Sequence, residues 1–123
     1  MTNNTTSNDD LLANILKGIE DVKGEDIDIL DLREIDNTVC DYFVICNGNS
    51  NTQVNAITNS IQKAVSKELK EKPWHVEGTE NGEWVLMDYV NVVVHVFQKH
   101  IREYYNIENL WGDAKITSIQ SKY

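Results

Sequence analysis

Two cysteines and three histidines of this 123-residue sequence are candidates for a nucleophile, a general base or zinc ligands. Cys40 and Cys46 form no C-x-x-C motif, and His75, His95 and His100 form no H-x-x-x-H motif, so the spacing of a zinc site is missing. Cys46 and His95 could act as a nucleophile and its base, but no local motif indicates an activated thiol. We therefore expect both cysteines to be reduced and structural, and His95 to be hydrogen-bonded within a sheet.

The tetrapeptide Asn47-Gly48-Asn49-Ser50 lies between a predicted strand and a predicted helix, where free backbone amides can bind an anion. It lacks the lysine of a phosphate loop and the glycine spacing of a dinucleotide site. The arrangement is similar to the nucleotidyltransferase fold, in which a Gly-Ser helix start precedes a strand with two metal-binding carboxylates. Neither Trp74–Glu77 nor Trp84–Asp88 contains such a pair. We expect no catalytic residues, metal or cofactor, and keep a nucleotide bound at Gly48–Ser50 as the alternative function.

The charge of the sequence restricts its possible partners. Eleven lysines and arginines stand against twenty aspartates and glutamates, which gives a net charge of −9. Because nucleic-acid affinity comes largely from lysine and arginine, we expect no direct binding to nucleic acid or to an anionic membrane. A basic protein is the expected partner. No apolar run approaches the ~20 residues of a membrane helix, and residues 1–8 lack a signal- or transit-peptide pattern, so we expect a cytoplasmic protein.

Hydrophobic periodicity and turn residues predict the order α-β-β-α-β-β-β-α. The predicted helices are Asn8–Val22, a helix from Ser50 to about Leu69, and Gln98–Asn106. The predicted strands are Glu25–Arg33, Tyr42–Cys46, Trp74–Glu77, Trp84–Tyr89 and Val92–Phe97. This order indicates an α/β (α+β) fold with a single mixed β-sheet and flanking helices. We assign residues 9–114 to one domain, residues 1–8 to a flexible N-terminal tail and residues 115–123 to a C-terminal tail.

The last two predicted strands should pair as a hairpin whose loop is centred on Val90-Asn91, with Asp88 opposite Val93. Side chains alternate across a strand, so one face of the hairpin is purely apolar and belongs to the core. The opposite face carries Trp84, Leu86, Asp88, Val93, His95 and Phe97. Such a mixed surface is either covered by a helix or left partly open for a partner.

A series of motifs runs in the same order as in a known family. They are Asp41–Ser50 (DYFVICNGNS), Gln53-Val54, Glu77-Gly78, Trp84–Tyr89 (WVLMDY), Val92–Phe97 (VVVHVF), Arg102–Tyr105 (REYY) and Leu110–Ala114 (LWGDA). From about residue 11 to residue 114 the chain resembles the ribosomal silencing factor (Iojap) family. The resemblance implies a nucleotidyltransferase-like fold without catalytic acids and a non-enzymatic role. It also implies binding to large-subunit protein fourteen and steric exclusion of the small subunit, which lowers translation when nutrients are scarce.

Tryptophan and tyrosine often anchor protein interfaces, so the resemblance suggests a docking surface in the C-terminal third. Our candidate docking residues are Trp84, Leu86, Asp88, Tyr105, Leu110 and Trp111. An aromatic surface open to water also predicts a homodimer in the free state. One departure is Val90-Asn91, where the family commonly has Gly-Asp. Because a β-branched valine resists a positive φ, we expect a different turn in this hairpin.

Overall fold

The structure, a computed structural model, describes residues 7–120. Its helices are α1 Asn8–Asp21, α2 Asn51–Leu69, α3 Lys99–Tyr105 and α4 Ile107–Leu110. Its strands are β1 Glu25–Asp31, β2 Tyr42–Gly48, β3 His75–Glu77, β4 Trp84–Asp88, β5 Val92–Gln98 and β6 Lys115–Ser118. Within these residues the strands form one sheet in the order β3-β4-β5-β2-β1-β6, with β2 and β5 parallel and the other neighbours antiparallel. The predicted class is confirmed; the likeness to nucleotidyltransferases stays a prediction.

Helix α2 forms because its sequence combines an N-terminal cap with an apolar stripe. Ser50 Oγ accepts a hydrogen bond from the backbone N–H of Gln53 at 3.1 Å, which satisfies one free amide of the first turn. The fully buried residues of the stripe are Val54, Ile57, Ile61 and Val65. Helix α1 lies directly against α2, since a Cβ on Gly18 would lie only 2.7 Å from the Cα of Ile61. The two helices therefore form one layer on one face of the sheet.

The two faces of the sheet bury different apolar clusters. The face under α1 and α2 carries alternate residues of the hairpin, namely Val85, Met87, Val92, Val94 and Val96, as predicted. The other face carries Phe43, Ile45, Val93 and Phe97, together with Ile107 of α4. Trp84, Leu86 and Trp111 pack against this second cluster and are only partly buried. The short helices α3 and α4 thus leave part of the second face open.

The hairpin between β4 and β5 has the predicted register, with Asp88 opposite Val93. In its turn Val90 adopts a positive φ of 76° despite its β-branch, and a difference from the family's turn stays a prediction. The N–H of Asn91 donates to the carbonyl of Tyr89 at 3.0 Å, which is the hydrogen bond of a γ-turn centred on Val90. The Val90 N–H donates to Asp88 Oδ1 at 2.7 Å. These bonds hold a valine where a glycine would be relaxed.

We expect Val90→Gly to raise the free energy of unfolding by about 1 kcal/mol. A non-glycine residue at positive φ costs about 1–3 kcal/mol, and the extra chain entropy of glycine offsets about 0.5–1 kcal/mol of the gain. Denaturant unfolding of the wild type and the variant measures the difference. Val90→Ala is the matched control, since it removes the β-branch but keeps the strained φ, and it should gain less. A Val90→Gly variant less stable than wild type would contradict the strained turn.

Each of the two predicted tails lies partly within the described residues. The prediction that residues 115–123 form a tail is wrong for Lys115–Ser118, which forms β6 and pairs antiparallel with β1. Residues 121–123, and residues 1–6 of the predicted N-terminal tail, lie outside the described part of the chain. Ser7 caps α1, and Asn8 is the first residue of that helix. Between residues 7 and 120, no helix has both the length and the apolarity that crossing a membrane requires.

Candidate functional site

Trp84, the first residue of β4, lies on the partly open face of the sheet. Its ring stacks on Phe97 with centroids 4.8 Å apart, and it lies 5.0 Å from the ring of Tyr105 on α3. Its indole Nε1–H donates to His95 Nδ1 at 3.1 Å. Side chains alternate between the two faces along β4, which places Trp84 on the face that carries Phe97. Phe97 lies directly opposite Trp84 on β5. The structure therefore brings Trp84 and Tyr105 together, as a shared docking surface requires.

The remaining aromatic candidates extend this surface along α3 and α4. Tyr105 is 50% exposed and Leu110 is 75% exposed. Trp111 is half-buried and meets Phe43 edge to face, with ring centroids 5.6 Å apart. Tyr104 is 81% exposed and lies 5.0 Å from Tyr105. The sequence-based set omitted Tyr104, although its place beside Tyr105 in the REYY motif was a usable signal.

We call the residues Trp84, Leu86, Tyr104, Tyr105, Leu110 and Trp111 the aromatic face. Leu86 and Trp84 line a shallow cavity of about 340 Å³ together with Glu77, the last residue of β3, and Gly78, which follows it. Large apolar side chains with exposed surface beside an open cavity are the features that interfaces with other proteins use. A bulky side chain of a partner fits such a depression.

Asp88 differs from the other candidate docking residues. It lies at the far end of β4, and its Oδ1 atom accepts a hydrogen bond from the N–H of Val90 at 2.7 Å. The carboxylate therefore holds the hairpin turn. A docking role for Asp88 stays a prediction, and it would have to use the second carboxylate oxygen.

His95 is buried beneath the aromatic face. It is hydrogen-bonded within the sheet region as expected, because Nδ1 accepts from the indole of Trp84. Burial lowers the pKa of His95 to about 4. At neutral pH the ring is therefore uncharged, with its proton on Nε2. Its role in this structure is to orient Trp84.

Cys40 and Cys46 are both buried free thiols. Desolvation by burial raises the pKa of Cys46 to about 12 and that of Cys40 to about 11, so neither is a thiolate at neutral pH. Cys46 belongs to the cluster under α1 and α2, whereas the ring of His95 packs edge to face against Phe43 on the opposite face of the sheet. The sheet therefore separates Cys46 from His95, and the two cannot form a nucleophile–base pair.

We expect Cys46→Ala to lower the free energy of unfolding by about 1 kcal/mol and to leave unchanged the ribosome binding that the family resemblance implies. The lost sulfur leaves a small void in a fully buried position, on the face opposite the aromatic residues. Thermal melting and co-sedimentation with large subunits measure the two properties. Cys40→Ala, at the second buried thiol, should likewise bind normally. A folded variant of either kind that fails to bind would show that these thiols are not merely structural.

The segment Gly48–Ser50, where an anion could bind, is closed by the side chains of its own helix. The N–H of Asn49 donates to Gln53 Oε1 at 2.7 Å, and the N–H of Gln53 donates to Ser50 Oγ at 3.1 Å. Within residues 7–120 there is also no cluster of three or more histidine, cysteine, aspartate or glutamate side chains that could hold a metal ion. The N–H groups of Asn49 and Gln53 are therefore not free to bind an anion, and the nucleotide-binding alternative stays a prediction.

Arg102 is the charged residue that sequence reasoning missed. Its guanidinium is buried between α3 and the sheet, with Nη2 at 2.9 Å from Asp28 Oδ2 and 2.8 Å from Glu108 Oε2. Its Nη1 donates to Asn47 Oδ1 at 2.8 Å. An arginine on a short helix is normally exposed to solvent. Its place in the REYY motif was the only sign in the sequence that Arg102 differs from such a residue.

Comparisons with known proteins agree on one family. The family model described as ribosomal silencing factor during starvation matches residues 5–122. A ribosomal silencing factor of Halalkalibacterium halodurans is 41% identical over 114 residues, which cover 93% of this chain and 96% of that protein. A ribosomal silencing factor of Bacillus subtilis is 46% identical over 101 residues, which cover 81% of this chain and 83% of that protein.

A solved structure is also similar. The crystal structure of a Chromobacterium violaceum protein superposes with a TM-score of 0.81 at 36% sequence identity. The match covers 95% of this chain and 97% of that one. The arrangement of helices and sheet described above is therefore shared over nearly the full length of both chains.

Proposed function

Because this chain belongs to the ribosomal silencing factor family, we propose that it binds the large ribosomal subunit through its basic protein fourteen and sterically blocks joining of the small subunit. Such binding lowers translation when nutrients are scarce. The family role is regulatory and not enzymatic. The site of action would be the bacterial cytoplasm, where ribosomal subunits join.

The exposure of the aromatic face is the observation that carries this proposal. Tyr104 and Leu110 are each at least three-quarters exposed, next to the partly covered rings of Trp84 and Trp111. Covering exposed side chains of this size with a partner stabilises the complex by about 25 cal/mol per Å² of apolar surface buried. Tryptophan and tyrosine are also the residue types that dominate the energetics of interfaces.

Charge supports a basic protein as the partner. The chain carries a net charge of −9, and Glu77 is exposed beside Trp84 and Leu86. An acidic protein with an apolar docking surface attracts a basic protein surface and repels the phosphates of rRNA. We therefore expect contact with protein rather than with rRNA, and an affinity that falls as the salt concentration rises.

Co-sedimentation with separated ribosomal subunits tests the proposed function. The purified chain should pellet with large subunits and not with small subunits. Preincubated large subunits should then form fewer joined ribosomes when small subunits are added, as measured by light scattering. Leu110→Ala is a suitable interface variant because Leu110 is exposed, so its truncation should weaken binding without unfolding the domain. Failure of the wild-type chain to pellet with large subunits would refute the proposal.

We further propose that the free chain is a homodimer that covers the aromatic face. Dimers with two-fold symmetry are the commonest way to bury a self-complementary apolar surface. Light scattering at micromolar concentration should give twice the mass of one chain, and Leu110→Asp should give the mass of a single chain because a charge would enter the interface. A wild-type sample with the mass of one chain would rule the dimer out.

A further inference from the structure

We propose that Arg102 is a positioning residue for docking: it holds the corner between α3 and α4 so that Tyr105, Leu110 and Trp111 face one partner together. This inference rests on the proposed function. Tyr105 is the last residue of α3, whereas Leu110 is the last residue of α4 and Trp111 follows it as the C-terminal cap. The orientation of the corner between the two helices therefore decides whether they form one surface.

The guanidinium of Arg102 uses all of its donors within the protein. Nε and Nη2 both donate to Glu108 Oε2, at 3.0 Å and 2.8 Å. Nη2 also donates to Asp28 Oδ2 at 2.9 Å, and Nη1 donates to Asn47 Oδ1 at 2.8 Å and to the backbone carbonyl of Asp26. These five hydrogen bonds match the five N–H groups of an arginine side chain. One side chain thus joins α3 and α4 to β1 and β2.

Apart from the edge-to-face packing of Trp111 on Phe43, the corner has few other contacts that fix its rotation. Asn106 separates the two helices with a φ of 47°, and its N–H donates to the carbonyl of Arg102 at 2.8 Å. Ile107 is buried in the second apolar cluster, but apolar burial is non-directional and fixes depth more than rotation. Among residues 7–120, the hydrogen bonds of Glu108 to Arg102 are the only side-chain hydrogen bonds made by α4. The hydrogen-bonded restraint on the side chains of α4 therefore comes from this pair.

The bonding pattern requires an arginine rather than any cation. Its planar fork reaches acceptors on Asp28, Asn47 and Glu108 at once. A lysine has three donors on one nitrogen and cannot reach acceptors on three separate elements in the same geometry. Asp28 extends the network to the sheet edge, because its Oδ1 accepts from Ser118 Oγ of β6 at 2.6 Å. The restraint on α4 is thereby anchored in the two strands at that edge.

The test compares Arg102→Lys with the wild type in a binding titration against large subunits. We expect at least tenfold weaker binding by the folded variant, because the positive charge stays but the fork is lost. Arg33→Lys is the matched control. Arg33 makes an exposed two-bond contact with Asp31, away from the corner, so its replacement should leave the affinity unchanged.

A double variant separates positioning from a general loss of stability. If Arg102 acts by orienting α4, then Leu110→Ala should weaken binding several-fold in the wild type and less than about twofold in the Arg102→Lys background. Contacts that depend on each other are non-additive in this way. Equal effects of Leu110→Ala in both backgrounds would overturn the inference, since Arg102 would then act independently of α4.

The outcomes distinguish this inference from the proposed function. No binding by the wild-type chain refutes the proposed function itself. Normal wild-type binding with an unchanged affinity for folded Arg102→Lys overturns the positioning role alone. If Arg102→Lys does not fold, Glu108→Gln replaces it, since it keeps the size and an acceptor oxygen but removes the charge. Glu108→Gln should bind at least threefold more weakly, and wild-type affinity in that variant would equally overturn the role.

Discussion

Trp84→Ala is expected to weaken binding to the large subunit at least 30-fold, which corresponds to about 2 kcal/mol. Trp84 lies between Phe97 below it and Tyr105 beside it, and it lines the open cavity of the aromatic face. Removing the indole therefore removes the central anchor and the packing that supports Tyr105. Because the ring is only partly buried, the loss of folding stability should be smaller than the ~3–5 kcal/mol of a fully buried tryptophan.

Two variants serve as controls for this prediction. Trp84→Phe removes the hydrogen bond to His95. It should nevertheless retain most of the affinity, because it keeps an aromatic ring over Phe97. Trp74→Ala removes a tryptophan that is 82% exposed and precedes β3, outside the aromatic face, and it should bind normally. Titrations are evaluated on the folded fraction measured by thermal melting. A large fall in melting temperature with unchanged binding by that fraction would assign Trp84 to the core alone.

Acidification is expected to cost about 3 kcal/mol of folding free energy through His95 alone between pH 7 and pH 4. The pKa of His95 is lowered from 6.5 to about 4 in the folded protein because the ring is buried. Between these values the unfolded chain binds a proton that the folded chain does not. Stability contributed by the neutral ring is therefore present above pH 6.5 and is lost as the pH falls toward 4.

His95→Asn isolates this contribution from the carboxylates that titrate in the same range. The asparagine side chain keeps an acceptor near the position of Nδ1 for the indole of Trp84 but does not titrate. Denaturant unfolding at several pH values should show a shallower loss of stability in the variant than in the wild type. Identical pH dependence of the two proteins would mean that His95 is protonated in the folded state as readily as in the unfolded chain.

The hairpin shows how far the sequence could determine the fold. Residues of β4 and β5 alternate between purely apolar and mixed positions, and only one register puts all the valines of one face into the core. That register, and the grouping of Trp84 with Phe97, were therefore predictable. The capped start of α2 was predictable for a similar reason, since Ser50 and Gln53 interact within one helical turn.

Elements stabilised by distant contacts were not predictable in this way. All four residues of β6 are exposed, and the strand exists because it pairs with β1, more than 80 positions earlier in the chain. Arg102 is buried because Asp28, Asn47 and Glu108 converge on it, and two of these are 74 and 55 positions away. Val90 takes its positive φ because the paired strands on both sides close the turn. At each of these positions tertiary contacts override the conformation or exposure that the local sequence favours.

The parallel pairing of β2 with β5 has a consequence for synthesis of the chain. Fifty positions separate Tyr42 from its partner Val92, and a ribosome that adds 5–20 residues per second needs roughly 3–10 s to cross that interval. Throughout this time β2, which is buried along its whole length in the finished protein, can pair with β1 but lacks β5 on its other edge. An apolar strand with an unpaired edge is a template for association with other chains. We therefore expect fragments that end after α2 to aggregate at concentrations at which the full chain remains dispersed.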